Sequence, residues 1–197
     1  MPPTSQQRLQ QRFLRLALVA AVTLVTKPSY AFDPADLQTL MQTRQCLNCD
    51  LRDADLRHLD LSEADLQGSN LENANFFRSR LDGANLARTN LKRANLGEAS
   101  LQGAVLNIAD LSRTSLLRAD LTGASLYGAI MDYTYIEGTL FIDALLSRAR
   151  LSRARIVSAD FTGATLCGAE MSYGEYRRDC RSVEKLEAVE GSADSEL

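Results

Sequence analysis

The stretch "CLNCDLRDADLRHLDLSEADL", Cys46 to Leu66, repeats itself every five residues. Leu51, Leu56, Leu61 and Leu66 mark the beat, and Cys49, Ala54, Leu59 and Ala64 stand two positions before them. The cadence runs unbroken to Tyr176, giving 26 large apolar residues of which 18 are Leu. The others are Phe76, Met131, Ile136, Phe141, Ile156, Phe161, Met171 and Tyr176. In 17 of the 26 units the small residue is Ala, and Asp or Asn usually separates it from the large one. A period of five matches neither the 3.6 of a helix nor the 2.0 of a strand. One long helix and one long strand are therefore both excluded.

Two inward positions in every five describe a coil with short straight sides. Four sides make a turn of about 20 residues, each stacked on the turn before it. A bulky residue then fills the axis from the middle of each side, while a small one avoids crowding near the corner. These units closely resemble the A(D/N)LXX signature of the pentapeptide repeat family, from about Cys49 to Tyr176. The resemblance implies an all-β solenoid, a right-handed quadrilateral β-helix of about 6.5 coils with short N- and C-terminal capping helices. At about 4.8 Å per hydrogen-bonded coil, the stack would be roughly 31 Å long.

The ends of such a stack expose unpaired backbone groups and need covers. In "FDPADLQTLMQTRQ", Asp33 fits an N-cap and Pro34 the first helical position, with Leu37, Leu40 and Met41 on one face. "EYRRDCRSVEKLEAVE" fits a second, more polar helix, and "GSADSEL" has no apolar anchor and reads as a disordered tail. Ahead of all this, Arg8, Arg12 and Arg15 precede the apolar run Leu16 to Val25 and a Ser29-x-Ala31 exit. That is the layout of a Sec-type signal peptide, too short to span a bilayer. The expected organisation is thus 1–31 cleaved signal, 32–46 capping helix and lead-in, 47–178 β-helix, and 179–197 C-terminal cap with an acidic tail.

Loss of residues 1–31 removes Arg8, Arg12, Arg15 and Lys27 from 22 basic residues, leaving 18 against 25 acidic ones, a formal charge of −7. Export places the four cysteines in an oxidising compartment, a periplasm or a thylakoid lumen. Cys46 and Cys49 fall on inward positions at the start of the stack, while Cys167 and Cys180 lie some six coils away. Only Cys46–Cys49 and Cys167–Cys180 are close enough to pair. The distance also excludes one four-cysteine metal site. Cys46 and Cys49 either form a disulfide or stay as two reduced thiols in a dry core. Similar CxxCDL openings in family members favour a structural role over a catalytic dithiol.

No catalytic constellation is evident. The single histidine, His58, falls on an outward position, and no P-loop, G-x-G-x-x-G or H-E-x-x-H motif occurs. Asp50, Asp55, Asp60, Asp65, Asp110, Asp120 and Asp160 recur with the repeat and read as exposed side chains rather than acid–base pairs. No cofactor or metal is expected. Some family members imitate DNA to act on type II topoisomerases, which depends on an acidic rod. Residues 47–178 carry 17 acidic and 15 basic side chains, a poor polyanion mimic, so no nucleic-acid-like role is expected.

One region departs from the surface pattern. In "YGAIMDYTYIEGTLFIDALL", Tyr127 to Leu146, the usual Asp/Asn sites become Ile130, Tyr135, Leu140 and Leu145. Tyr127, Tyr133 and Ile142 also take outward positions. A stride of 20 residues places Arg150 on Ile130, Arg153 on Tyr133 and Arg155 on Tyr135, with Arg148 extending the row. Tyr127, Ile130, Tyr133, Tyr135, Arg148, Arg150, Arg153 and Arg155 are therefore the candidate face for docking another protein, being rich in residue types that dominate binding hot spots. The sequence points to a non-enzymatic exported interaction scaffold, monomeric or weakly dimeric, with no membrane span after signal cleavage. The alternatives are a structural or stress-related rod without a dedicated partner, and a thiol redox protein using Cys46 and Cys49.

Overall fold

The computed structural model describes residues 32–171 in full and the backbone of 174–175 and 182–183. The expected signal peptide, most of the C-terminal cap and the tail lie outside these residues. The chain starts with α1, Pro34–Thr43. Asp33 caps it by accepting from the Ala35 amide at 2.9 Å, and Pro34 occupies the first turn, where a missing N–H costs nothing. Arg44 ends it in a left-handed conformation, its amide donating to Leu40 O at 2.9 Å. Leu40 is fully buried and Leu37 packs partly against the core, but Met41 is 52% exposed, contrary to expectation. The reason is angular: Asp36, Leu40 and Leu37 face the first coil, and Asp36 carboxylate accepts from the Asp50 amide at 2.7 Å. Met41 lies past the edge of that arc.

From Gln45 onward, every coil stacks on the next in parallel with a 20-residue register, Gln45 against Asp65, Asp50 against Asn70, and so on to Arg150 against Glu170. Each repeat settles its five backbone amides in a fixed way. Leu51 donates to Asn70 O at 2.8 Å and Asp53 to Glu72 O at 2.9 Å, both in the following coil. Ala54 closes a tight turn onto Leu51 O at 3.2 Å, with Asp53 at φ 57°, the signature of a type II turn. Asn75 reaches back to Ala54 O at 2.9 Å, so the amide before each large residue bonds the preceding coil. The fifth amide, just after the large residue, points outward and, where Asp or Asn stands two positions earlier, is met by that side chain. Asn75 Oδ1 accepts from the Phe77 amide at 3.1 Å, Asp110 from Ser112 at 3.0 Å, and Asp120 from Thr122 at 2.9 Å.

This Asx bond explains the D/N of the motif. Such a bond lets a short side chain replace a ladder partner and bend the chain. The asparagines also bond one another along the stack: Asn85 Nδ2 donates to Asp65, Asn90 to Asn70 and Asn95 to Asn75, at 2.9, 3.0 and 3.2 Å. The aspartates of the motif are thus structural acceptors, not merely exposed carboxylates.

The described large residues are buried throughout, apart from Ile156, which is half-buried near the C-terminal end. Phe141 and Phe161, one coil apart, stack with ring centroids 4.9 Å apart. Where Ser or Thr replaces the small Ala, its hydroxyl is satisfied inside the core: Thr114, Thr134 and Thr139 donate to Leu91 O, Leu111 O and Leu116 O at 2.7, 2.9 and 2.6 Å. A buried hydroxyl without such a partner would cost about 1–3 kcal/mol.

Within the parallel stack, regular strands form at one place. β1, Tyr135–Glu137, pairs in parallel with β2, Arg155–Val157. Neither Thr139 nor Ala159 makes the turn bond that Ala54 makes to Leu51, and the extended segment lengthens; a missing Asx alone leaves Val105, Ile130, Leu140 and Leu145 as isolated bridges. At the far end, β3, Ala164–Thr165, takes β6, Ser182–Val183, antiparallel, while β4, Glu170–Met171, pairs antiparallel with β5, Gly174–Glu175. Glu175, Ser182 and Val183 fall in the segment expected to be a second helix. They are extended instead, because the open edge of the last coil offers a ladder that overrides local helix propensity.

Candidate docking site

Four sides per coil sort the surface into four faces. The first follows Leu51, Leu71 and Leu91 up the stack, the second Leu56 and Phe76, the third Leu61 and Leu81, the fourth Cys46, Leu66 and Leu86. The eight residues expected on one face spread over three. Tyr127 and Arg148 belong to the fourth face, Ile130, Tyr133, Arg150 and Arg153 to the first, and Tyr135 and Arg155 to the second. Nine residues of a 20-residue coil, Tyr127 to Tyr135, necessarily turn two corners. The candidate site is a band around two edges, not a plane.

Along that band the expected stacking takes a definite form. Arg153 Cζ lies 5.5 Å from the Tyr133 ring centroid and Arg155 Cζ 5.3 Å from that of Tyr135. Arg148 sits 5.7 Å over Tyr127, a pairing the sequence reading had not drawn. Arg113, which it overlooked, lies 5.7 Å from Tyr133 on the other side, so this ring is held between two guanidinium groups. A 20-residue step back from Tyr133 would have found it. Each such contact is worth about 0.5–1 kcal/mol at an exposed site. Arg153 also donates from Nη1 to the Tyr133 hydroxyl, and the Tyr135 hydroxyl donates to Glu137.

Arg150 behaves differently. It is in register with Ile130, but its guanidinium turns to Asp132, with Nε at 2.9 and 3.0 Å from the two oxygens. Among the described residues, Arg88, Arg113, Arg118, Arg148, Arg153 and Arg155 have no carboxylate within ion-pair distance. Five of these six lie at or beyond residue 113. Earlier in the chain the pattern is reversed: Arg52 pairs with Asp50 at 2.7 Å, Arg57 with Asp55 at 2.6 Å and Arg78 with Glu98 at 2.7 Å. Tyr127, Tyr133 and Leu145 are 42%, 48% and 48% exposed, which adds an apolar component to the same band.

The third face is the opposite kind of surface. It carries Asp60, Glu63, Asp82, Asp120, Asp143 and Asp160 against Arg80 and the Arg44 guanidinium that reaches Asp60, a formal balance of −4. Negative charge is thus concentrated on the side away from the Tyr–Arg band. Several of the chain's Asx carboxylates are held below their ordinary range. The Arg52 side chain does this to Asp50. Burial pushes Asp110 and Asp120 up, but bonds from Ser112 with Lys92, and from Thr122 with Gln102, outweigh it.

Cys46 and Cys49 form a disulfide with Cα atoms 5.5 Å apart, 1% and 7% exposed. Of the two states the sequence left open, the oxidised one is present. The Cys49 amide donates to Ser69 Oγ, and that hydroxyl donates to Cys46 O at 2.6 Å, fixing the pair to the second coil. Cys167 is also disulfide-bonded; Cys180, the partner expected for it, lies outside the described residues. His58 is exposed, its ring edge-on to Phe77 at 6.2 Å. No helix among the described residues is long and apolar enough to cross a membrane.

The family model described as pentapeptide repeats matches in eight copies, over residues 46–73, 69–107, 108–141 and 134–172. No curated protein sequence matches the chain. Among solved structures, it is similar to a pentapeptide repeat protein, Rfr23, from the cyanobacterium Cyanothece 51142. The identity is 24% over 68% of this chain and 98% of the other, with a TM-score of 0.53. It is also similar to a thylakoid lumen pentapeptide repeat protein of Arabidopsis thaliana (29% identity, 55% and 70% coverage, TM-score 0.40). A third is from Nostoc PCC 7120 (30% identity, 50% and 78% coverage, TM-score 0.40).

Proposed function

This chain belongs to the pentapeptide repeat family, and on that premise we propose that it is an exported, non-enzymatic scaffold that docks another protein. The docking surface is the band of Tyr127, Ile130, Tyr133, Tyr135, Arg148, Arg150, Arg153 and Arg155. The observation that carries the reading is the exposed Tyr–Arg ladder, built where the repeat abandons its own Asx rule. Earlier in the stack Asp or Asn gives way at one or two units, as at Arg80 and Ser115, but from 130 to 145 four successive units lack the residue that satisfies the outward amide. Replacing it by Ile, Tyr, Leu and Leu gives up that bond and exposes apolar area, which is the composition of a recognition surface.

Export is supported by the basic, apolar and small-residue layout of positions 8–31 and by the disulfide at Cys46 and Cys49. Periplasm and thylakoid lumen both suit that chemistry. Members of this family are generally non-enzymatic, and a thiol redox role for Cys46 and Cys49 fits poorly with a disulfide that solvent barely reaches. The pair acts instead as a staple where α1 hands over to the coils. The proposed second staple, Cys167 to Cys180, would hold the C-terminal cap to the last coils.

The test is a pull-down from the native compartment with the wild-type chain and with Tyr135→Ala/Arg155→Ala. Both side chains lie outside the core, so the fold is preserved and circular dichroism will match. The reading expects capture of a discrete partner to be abolished in the variant; equal capture by a folded variant would refute it.

A further inference from the structure

We infer that the occupant of this band is an acidic polypeptide segment, with carboxylates interleaved with apolar side chains. The inference rests on the docking reading above and names the partner's chemistry. Its first ground is the contrast between two kinds of arginine in one chain. Arg52, Arg57 and Arg150 spend their Nε and Nη2 donors on a neighbouring Asp. Arg113, Arg148 and Arg155 rest against tyrosine rings, and Arg153 spends one donor on the Tyr133 hydroxyl. A ring face orients a guanidinium without consuming its N–H groups. The fork that fits a carboxylate is therefore held ready, with side-chain freedom already reduced before a partner arrives.

The second ground is the backbone. Among the described residues, no Asx side chain meets the outward amides of Asp132, Ser147 and Ser152, because residues 130, 145 and 150 are Ile, Leu and Arg. Arginine donors and backbone donors thus share one strip whose own carboxylates, Asp132 and Glu137, are already engaged by Arg150 and the Tyr135 hydroxyl. What complements it must be rich in acceptors and negatively charged. Stacked coils place Arg113 and Arg153 roughly 9.6 Å apart along the edge, with Tyr133 between them, and Arg155 two residues beyond Arg153. Tyr127 and Leu145 then offer apolar contact to the side chains between the acids.

A phosphate or sulfate polymer fits less well. The unpaired arginines are few, and the third face carries −4, so a dense polyanion would be repelled by the rest of the molecule. A short acidic segment can meet the edge without approaching that face.

The experiment measures fluorescence anisotropy of a labelled dodecapeptide alternating Glu and Val, titrated with the full chain. The inference expects saturable binding that weakens at least tenfold in Arg153→Gln/Arg155→Gln and is unaffected by Arg57→Gln. Tyr133→Leu should weaken it several-fold, because the charges stay but lose their support. A peptide with Gln for Glu should not bind. Binding of the Gln peptide equal to the Glu peptide would overturn the inference, as would equal binding to the double variant. So would no saturation at millimolar protein, or tighter binding of inorganic polyphosphate through the same arginines. Failure of the peptide while Tyr135→Ala/Arg155→Ala still abolishes partner capture would leave the docking reading standing and remove only the acidic partner.

Discussion

Replacing Asn90 by Ala isolates the bond on which the motif's D/N position depends. Asn90 is half-buried; its Oδ1 accepts from the Lys92 amide at 3.2 Å and its Nδ2 donates to Asn70 Oδ1 at 3.0 Å. Each neutral bond contributes about 0.5–1.5 kcal/mol net, and water can still reach the freed Lys92 amide, so the loss should be about 1–2 kcal/mol. Amide exchange by NMR gives the local readout. Protection at Lys92 should fall by roughly tenfold for each 1.4 kcal/mol lost, while Gly97, held by Asn95 at 3.0 Å, changes little. Asn90→Asp should keep the Lys92 bond but lose the one to Asn70, and so fall between Ala and wild type. Unchanged Lys92 protection in Asn90→Ala, with unchanged urea stability, would refute the claim that the Asx bond organises each rung.

Two further predictions concern the corners and the carboxylates. Ile108 holds φ 60° with its side chain 54% exposed, a conformation that a β-branched residue pays for and glycine does not. Ile108→Gly should therefore raise stability by about 0.5–1 kcal/mol despite glycine's greater freedom when unfolded, seen as a higher urea midpoint. Asp50, Asp110 and Asp120 have folded values depressed below the ordinary 3.8. A depressed carboxylate stabilises the fold above its unfolded pKa, and that stabilisation is lost as pH falls through the folded value. The urea midpoint should thus be flat from neutral pH down to roughly 5 and decline below about 4.

The register of the stack was legible because each rung repeats the same two inward residues, and a fixed period needs no tertiary knowledge to count. Cys46, Phe141 and Thr134 all sit where that count puts them. Other features were hidden for identifiable reasons. Extension of β1 and β2 goes with turn bonds that Thr139 and Ala159 do not make, which no residue pattern announces. Ser182 and Val183 carry a helix-like sequence, but the unpaired edge at Ala164 and Thr165 decides their conformation. Met41 shares a helical stripe with Leu37, yet the arc facing the coil is set by Asp36 reaching the Asp50 amide. The candidate docking residues are legible one by one and not as a group, because a short run of sequence turns corners that a linear reading does not show.

Site-specific photo-crosslinking in the native compartment tests the functional account most directly. A photoreactive phenylalanine at position 133, between Arg113 and Arg153, is compared with one at position 122 on the acidic third face. The account predicts a discrete protein adduct from position 133 and none from position 122. No adduct at 133, or the same adducts from both positions, would contradict it.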